Sequence, residues 1–219
     1  MNIAGFQKTS TIDFPGKIAC VLFTPSCNYT CWYCHNKALL HNPPLFGEAE
    51  VIAFLKKRAG LLDGVVLSGG EPTMQEDIVA FAATLKSLGY AVKLDTNGSN
   101  PDVVETLLHQ NLVDYVALDY KVPFTDYRAI CGYASEGVET CIGLLSTSTI
   151  MWELRTTVIP QLTLPVLTKM CQEIPIVPRF FLQPYRPVEG AEQSYYSDTQ
   201  IQMFANSLQM YQPNIQARI

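Results

Sequence analysis

Six short apolar runs, each ending in a cluster of polar residues, constrain this chain more than any other feature. They cover residues 17–23 (KIACVLF), 64–68 (GVVLS), 91–95 (AVKLD), 115–119 (YVALD), 153–159 (ELRTTVI) and 179–183 (RFFLQ). Largely continuous apolar runs fit strands covered on both faces, the pattern of parallel sheets. Between them lie segments with apolar residues at three- and four-residue spacing, over 48–58, 75–88, 101–110, 139–146 and 164–173, which predicts amphipathic helices. Asn100 before Pro101 is placed to cap the third of these. A further helix is expected over 197–211. Strands alternating with helices predict an α/β fold with parallel strands. Six units fall short of the eight of a closed barrel, so the expectation is a partial (β/α)6 barrel forming a single domain over residues 1–219.

The composition is that of a globular protein, with 48% apolar and 16% charged residues. A net charge of -5 argues against broad electrostatic binding of nucleic acid. No apolar stretch approaches the length of a membrane span, and the first residues (MNIAGFQK) lack a basic segment followed by an apolar one. The expected location is therefore the cytoplasm, with neither nucleic acid nor membrane as a partner.

In parallel α/β folds, sites gather beyond the carboxyl ends of the strands. Here those ends are chemically rich. Residues 26–35 follow the first run, and Ser68-Gly69-Gly70-Glu71-Pro72 the second. Asp95-Thr96-Asn97-Gly98, Asp119-Tyr120-Lys121 and Gln183-Pro184-Tyr185-Arg186 follow later ones. A glycine pair at a strand end lets a ligand approach the backbone. Arg155 lies inside an apolar run, where a charge is costly unless paired. Lys121, two residues after Asp119, points to the same side of an extended chain.

Three of the seven cysteines, Cys27, Cys31 and Cys34, fall within eight residues. An odd cysteine count and this crowding point to metal ligation and away from disulfides. Three thiolates can each take one iron of a cubane cluster, leaving the fourth iron open to another ligand. A structural zinc with Cys20, His35 or His41 as fourth ligand is the alternative, although zinc motifs usually bring two ligand pairs and no second pair follows. Cys20, Cys131, Cys141 and Cys171 are scattered and read as core residues.

The segment Cys27-Asn28-Tyr29-Thr30-Cys31-Trp32-Tyr33-Cys34 resembles in full the Cys-x3-Cys-x-aromatic-Cys signature of the radical S-adenosylmethionine (radical SAM) superfamily. The resemblance implies a [4Fe–4S] cluster whose open iron is chelated by S-adenosylmethionine. It also implies that Tyr33 sits beside the adenine, and that Gly69, Gly70 and Glu71 hold the methionine ammonium. Thr11-Ile12-Asp13-Phe14-Pro15-Gly16, Tyr33-Cys34-His35-Asn36, Asp95-Thr96-Asn97-Gly98 and Leu118-Asp119-Tyr120-Lys121 narrow the likeness to activases of glycyl radical enzymes. The likeness runs over about 5–190. It is greatest to those assigned to anaerobic ribonucleoside-triphosphate reductase.

On that resemblance, Asp95, Thr96 and Asp119, with a backbone carbonyl near Ala117, bind a monovalent cation, and Arg155 contacts the cofactor. The alternative for the two aspartates, from their positions alone, is a role in turns or helix caps. Asp13 is expected near the site mouth. The activases carry a histidine where this chain has Arg186, which is suited to anion binding or to a docking rim. The implied reaction is one-electron cleavage of S-adenosylmethionine to methionine and a 5′-deoxyadenosyl radical, which takes a hydrogen atom from a glycine of the partner. The expected partners are a glycyl radical enzyme, the anaerobic ribonucleotide reductase above all, and an electron donor such as flavodoxin or ferredoxin. Two other readings stand beside it: a radical enzyme acting on a small molecule, of the 7-deazaguanine synthase type, and a non-catalytic zinc or cluster module.

Overall fold

The computed structural model describes residues 1–187 and 195–219. They form one eight-stranded sheet in which every strand lies beside its sequence neighbour. Strand β1 (Gly5–Ser10) runs antiparallel to β2 (Ala19–Thr24). From β2 onward all pairs are parallel, through β3 (Gly64–Gly69), β4 (Ala91–Thr96), β5 (Tyr115–Asp119), β6 (Met151–Val158), β7 (Phe180–Pro184) and β8 (Ile215–Ala217). The crossovers carry helices α1 (Glu48–Lys57), α2 (Ile78–Ser87), α3 (Pro101–His109), α4 (Tyr127–Cys131), α5 (Glu136–Thr147), α6 (Leu164–Gln172) and α7 (Asp198–Leu208).

The expected class holds, and the strand count is corrected from six to eight. The six apolar runs are β2 to β7. The two missed strands are the edges. β1 (GFQKTS) is mostly polar and partly exposed, and β8 has three residues, so neither carries an apolar run to announce it. The helix expected from residue 75 starts at Ile78, because Pro72–Met74 form a separate 3-10 turn. The one expected over 139–146 extends to Glu136–Thr147. Helix α7 is capped by Ser197, whose hydroxyl accepts the N–H of Gln200 while the Gln200 side chain accepts the Ser197 N–H, a reciprocal cap. Asn100 stands at the N-cap of α3, but its side chain donates to Thr73 instead (3.1 Å).

Alternate residues of each strand face opposite sides of the sheet. Cys20 and Leu22 of β2, Val65 and Leu67 of β3, Val92 and Leu94 of β4, and Val116 and Leu118 of β5 pack with the helices in the large core. Truncating one of these, such as Leu94→Ala, costs about 2–5 kcal/mol. On the inner face a smaller cluster joins Phe14, Ala19, Val21, Val66, Tyr115 and Ala117. The loop carrying Phe14 enters β2 at its start, so it closes the inner face at the end opposite to the strand tails. Asp13 belongs to that loop, where Ser10 hydrogen-bonds its carboxylate. It therefore lies away from the site mouth, correcting the expectation. An antiparallel β1, unread in the sequence, puts it there.

Candidate cofactor site at the carboxyl ends of the strands

The cysteine loop leaves β2 through Ser26, a non-glycine residue at φ 63°. That strained conformation is held from two sides. The Ser26 N–H donates to the Leu39 carbonyl (3.1 Å), and the Ser26 carbonyl accepts the Glu71 N–H (2.9 Å). Past this bend, Cys27 Sγ receives the Tyr29 N–H (3.4 Å) and the Asn97 side-chain amide (3.6 Å). The Thr30 N–H donates to the carbonyl of Cys131, at the end of α4 (2.9 Å). The neighbouring Cys131 thiol, with help from the Lys121 ammonium and against burial, draws the Cys31 thiol below its ordinary value. Burial pushes Cys27 up, to about 11.

Cys27, Cys31 and Cys34 all line one cavity of about 260 Å³ at the strand ends. Gly69, Gly70, Glu71, Asp95, Thr96, Asp119 and Arg155 line it too. Of the residues the resemblance assigns to the cluster or to S-adenosylmethionine, Tyr33 is the exception. It is 7% exposed, packs edge-on against Trp32 and does not line the cavity. The hydroxyls of Tyr29 and Tyr33 are buried and have no hydrogen-bond partner among the described residues. Sequence reasoning missed Asn36, Asn97 and Tyr29 as wall residues, and gave Ser68 and Gln183 no role. Tyr29, Ser68, Asn97 and Gln183 lie in the polar tails and Asn36 directly follows the first of them, so the signal was position rather than residue type.

The glycine pair answers to the chain itself. Gly69 has φ 121°, and a Cβ there would lie 2.2 Å from the Thr24 nitrogen. A Cβ on Gly70 would lie 1.7 Å from the Ser26 carbonyl oxygen. The Gly69 carbonyl accepts the Asn36 side-chain amide (2.9 Å), so the turn is knitted to the cysteine loop. Glu71 is fully buried and ties the turn to the tail of β4. Its carboxylate accepts the Thr73 N–H and hydroxyl (3.0 and 2.6 Å), the Thr96 hydroxyl (2.7 Å) and the Asn97 N–H (2.7 Å). Burial raises its pKa, with these bonds opposing.

Asp95 and Asp119 form the charged floor. Arg155 of β6 lies between them, donating Nη1 to Asp95 (3.1 Å) and Nε to Asp119 (3.0 Å). Lys93 pairs with Asp95, and Lys121 with Asp119 (3.0 Å). Burial alone would raise both carboxyls, but Arg155 and the lysines outweigh it and hold them below the usual carboxylate range. The sequence expectation that Arg155 needs a partner is met twice over. Arg186 stands apart: it does not line the cavity, and it pairs with exposed Asp198 of α7 (2.6 Å).

The donor set fits a thiolate-bound cluster. Three cysteines share a cavity, Cys27 is hydrogen-bonded by two N–H donors, and a cation lies near Cys31. Among the described residues, no three His, Cys, Asp or Glu side chains are grouped to hold a single metal ion. Thiolates that each take a different iron have no need of such a point.

The sequence model of the radical SAM superfamily matches residues 21–163. This chain is a radical SAM protein. A Methanocaldococcus jannaschii protein, named as a proposed glycyl-radical enzyme activating enzyme, is 37% identical over 170 residues, covering 73% of this chain and 69% of the relative. The 7-carboxy-7-deazaguanine synthase of Neisseria meningitidis is 33% identical over 95 residues, covering 43% of this chain and 40% of that enzyme. Among solved structures, a domain of the pyruvate-formate lyase-activating enzyme of Bacteroides vulgatus matches with a TM-score of 0.56 at 17% identity, over 71% of this chain and 98% of that domain. The radical SAM protein described here is thus an oxidoreductase-type enzyme, with a [4Fe–4S] cluster and S-adenosylmethionine as the cofactors its superfamily uses. No helix among its described residues is long and apolar enough to cross a membrane.

Proposed function

We propose that this enzyme is an activase that places a glycyl radical on a partner enzyme, with anaerobic ribonucleoside-triphosphate reductase as the partner. The observation that carries the site reading is the shared cavity, where three cysteines face two aspartates already paired with cations. Cys27, Cys31 and Cys34 would hold the cluster. Bound together, the cluster and S-adenosylmethionine supply one-electron reduction and a carbon-centred radical, and the protein positions and shields them.

In this reading Gly69 and Gly70 present the backbone to the methionine end, and Glu71 fixes their turn from behind. Arg155 and Lys121 offer positive charge to the carboxylate end, held in place by Asp95 and Asp119. Trp32 packs on both Tyr33 and Tyr185, so Tyr33 supports the adenine side from the core. A peptide loop bearing the target glycine would complete the cavity wall and exclude water. A flavodoxin or ferredoxin would supply the electron.

The likeness to the deazaguanine synthase favours a second reading, a small-molecule substrate handled by the same cofactor site. One assay decides between them. The reconstituted protein is incubated anaerobically with reductant, S-adenosylmethionine and the reductase, and glycyl radical is measured by electron paramagnetic resonance. The activase reading expects a radical on the partner matched by 5′-deoxyadenosine. Fast coupled turnover of a metabolite, with no radical on the reductase, would sink it.

A further inference from the structure

The monovalent cation implied by the resemblance requires Asp95, Thr96 and Asp119 to offer free oxygens. None of the three does so fully. Asp95 Oδ1 is engaged by Lys93, and Oδ2 by Arg155 (3.1 Å) and the Ser68 hydroxyl (3.2 Å). Asp119 Oδ1 takes Arg155 (2.9 Å to Nη2), and Oδ2 takes Lys121 (3.0 Å). The Thr96 hydroxyl donates to Glu71 and accepts the Gly98 N–H (3.1 Å). A sodium or potassium ion entering this set would displace an ammonium or guanidinium, or sit beside one and be repelled.

Lys93 is the decisive residue. It is 2% exposed, on the inner face of β4, with its ammonium 5.8 Å from the Tyr115 ring centroid. It does not line the cavity but supports Asp95, which does. A lysine buried this far needs a counter-charge, and Asp95 is the carboxylate it pairs with. Two aspartates thus face three protein cations, so neither is short of a counter-charge.

We propose that Lys93 is a positioning residue that takes the place of an exchangeable cation, so that this enzyme binds S-adenosylmethionine without any monovalent metal. The inference rests on the cavity being the S-adenosylmethionine site. Binding of S-adenosylmethionine to the cluster-loaded protein is measured by anaerobic calorimetry in potassium, sodium or tetramethylammonium chloride at equal ionic strength. The expected result is one dissociation constant within about twofold across the three salts, since the charges are fixed in the chain and bulk screening is held constant. Tightening of about tenfold by potassium or sodium in the unaltered protein would overturn the proposal.

Lys93→Met leaves Asp95 short of a partner. It should bind about tenfold more weakly in tetramethylammonium, as expected for a broken buried pair, and recover in part when potassium is added. Lys93→Arg should need no such rescue. A Lys93→Met protein of full iron content that binds as tightly as the parent in every salt would also overturn the proposal. The unaltered protein's salt series stands alone should Lys93→Met fail to fold. No binding in any salt would instead refute the site reading on which the inference rests.

Discussion

Replacing Gly70 by alanine tests whether the glycine pair serves the ligand or the chain. The added Cβ would lie 1.7 Å from the Ser26 carbonyl oxygen and 3.3 Å from the Cys27 nitrogen. Van der Waals contact begins near 3.4 Å, so the two backbones must part by well over 1 Å. That breaks the Glu71 N–H to Ser26 carbonyl bond (2.9 Å), worth about 1 kcal/mol, and adds about 1–3 kcal/mol of overpacking strain. The sum of about 2–4 kcal/mol predicts a melting temperature lower by roughly 4–16 °C in a chain of this size. Because Ser26 directly precedes Cys27, cluster loading should fall with it, seen as reduced iron and sulfide after anaerobic reconstitution. Gly143→Ala, in the exposed interior of α5 with nothing within 4 Å of the new Cβ, serves as control and should stabilise by up to about 1 kcal/mol. If Gly70→Ala kept its melting temperature and its iron, and lost only S-adenosylmethionine binding, the glycine would be there for the ligand and the packing argument would be wrong.

Two further outcomes follow from the site and from the sheet beneath it. Alanine at Cys27, Cys31 or Cys34 should each abolish iron and sulfide incorporation, whereas Cys141→Ala and Cys171→Ala, both in the helix-side core, should keep it; full iron in any of the first three would remove that cysteine from the ligand set. Arg218→Ala strips two hydrogen bonds of 2.8 Å from the Glu153 carboxylate, which is 1% exposed. Burial would raise that carboxyl, but Arg218 and Tyr115 hold it below its usual range. The stability this pairing contributes is therefore present above the ordinary glutamate pKa and lost as pH falls through the lowered one. Arg218 is 37% exposed, which trims the cost of a broken buried pair to about 1–3 kcal/mol. The variant should melt lower near pH 7 and approach the parent in acid; an equal deficit at both pH values would count against the charge argument.

The strands that build the site were legible because each is apolar on the helix-facing side and ends in polar residues. Reading the tails of β2, β3, β4 and β5 as one site needed only the rule that parallel strands deliver their carboxyl ends together, and the shared cavity agrees. The edge strands were not legible. β1 is held by its antiparallel register to β2 and β8 by three residues paired with β7, and neither leaves a periodic mark. That omission also misplaced Asp13, since the direction of β1 decides which end of the sheet its loop reaches.

The inner face of β4 to β6 shows why a strand pattern can conceal a charge network. Lys93 and Asp95, and Glu153 and Arg155, sit two residues apart, and Tyr115 and Asp119 four apart, an even spacing that in a half-exposed strand marks the solvent side. Here the same alternation faces the interior. It can do so because each charge is paired: Lys93 with Asp95 and Lys121 with Asp119 two residues apart, Arg155 across two strands with both aspartates, and Arg218, directly after β8 and 65 residues beyond Glu153, with that carboxylate. Arg218 also lies 3.7 Å over the Phe181 ring, a cation–π contact that fixes the guanidinium where Glu153 needs it. Local pattern reports that a residue is charged, but the cost of burying it depends on partners distant in sequence. Asp95 is the member of this network that local pattern could have paired, because Lys93 stands two residues before it on the same face of β4.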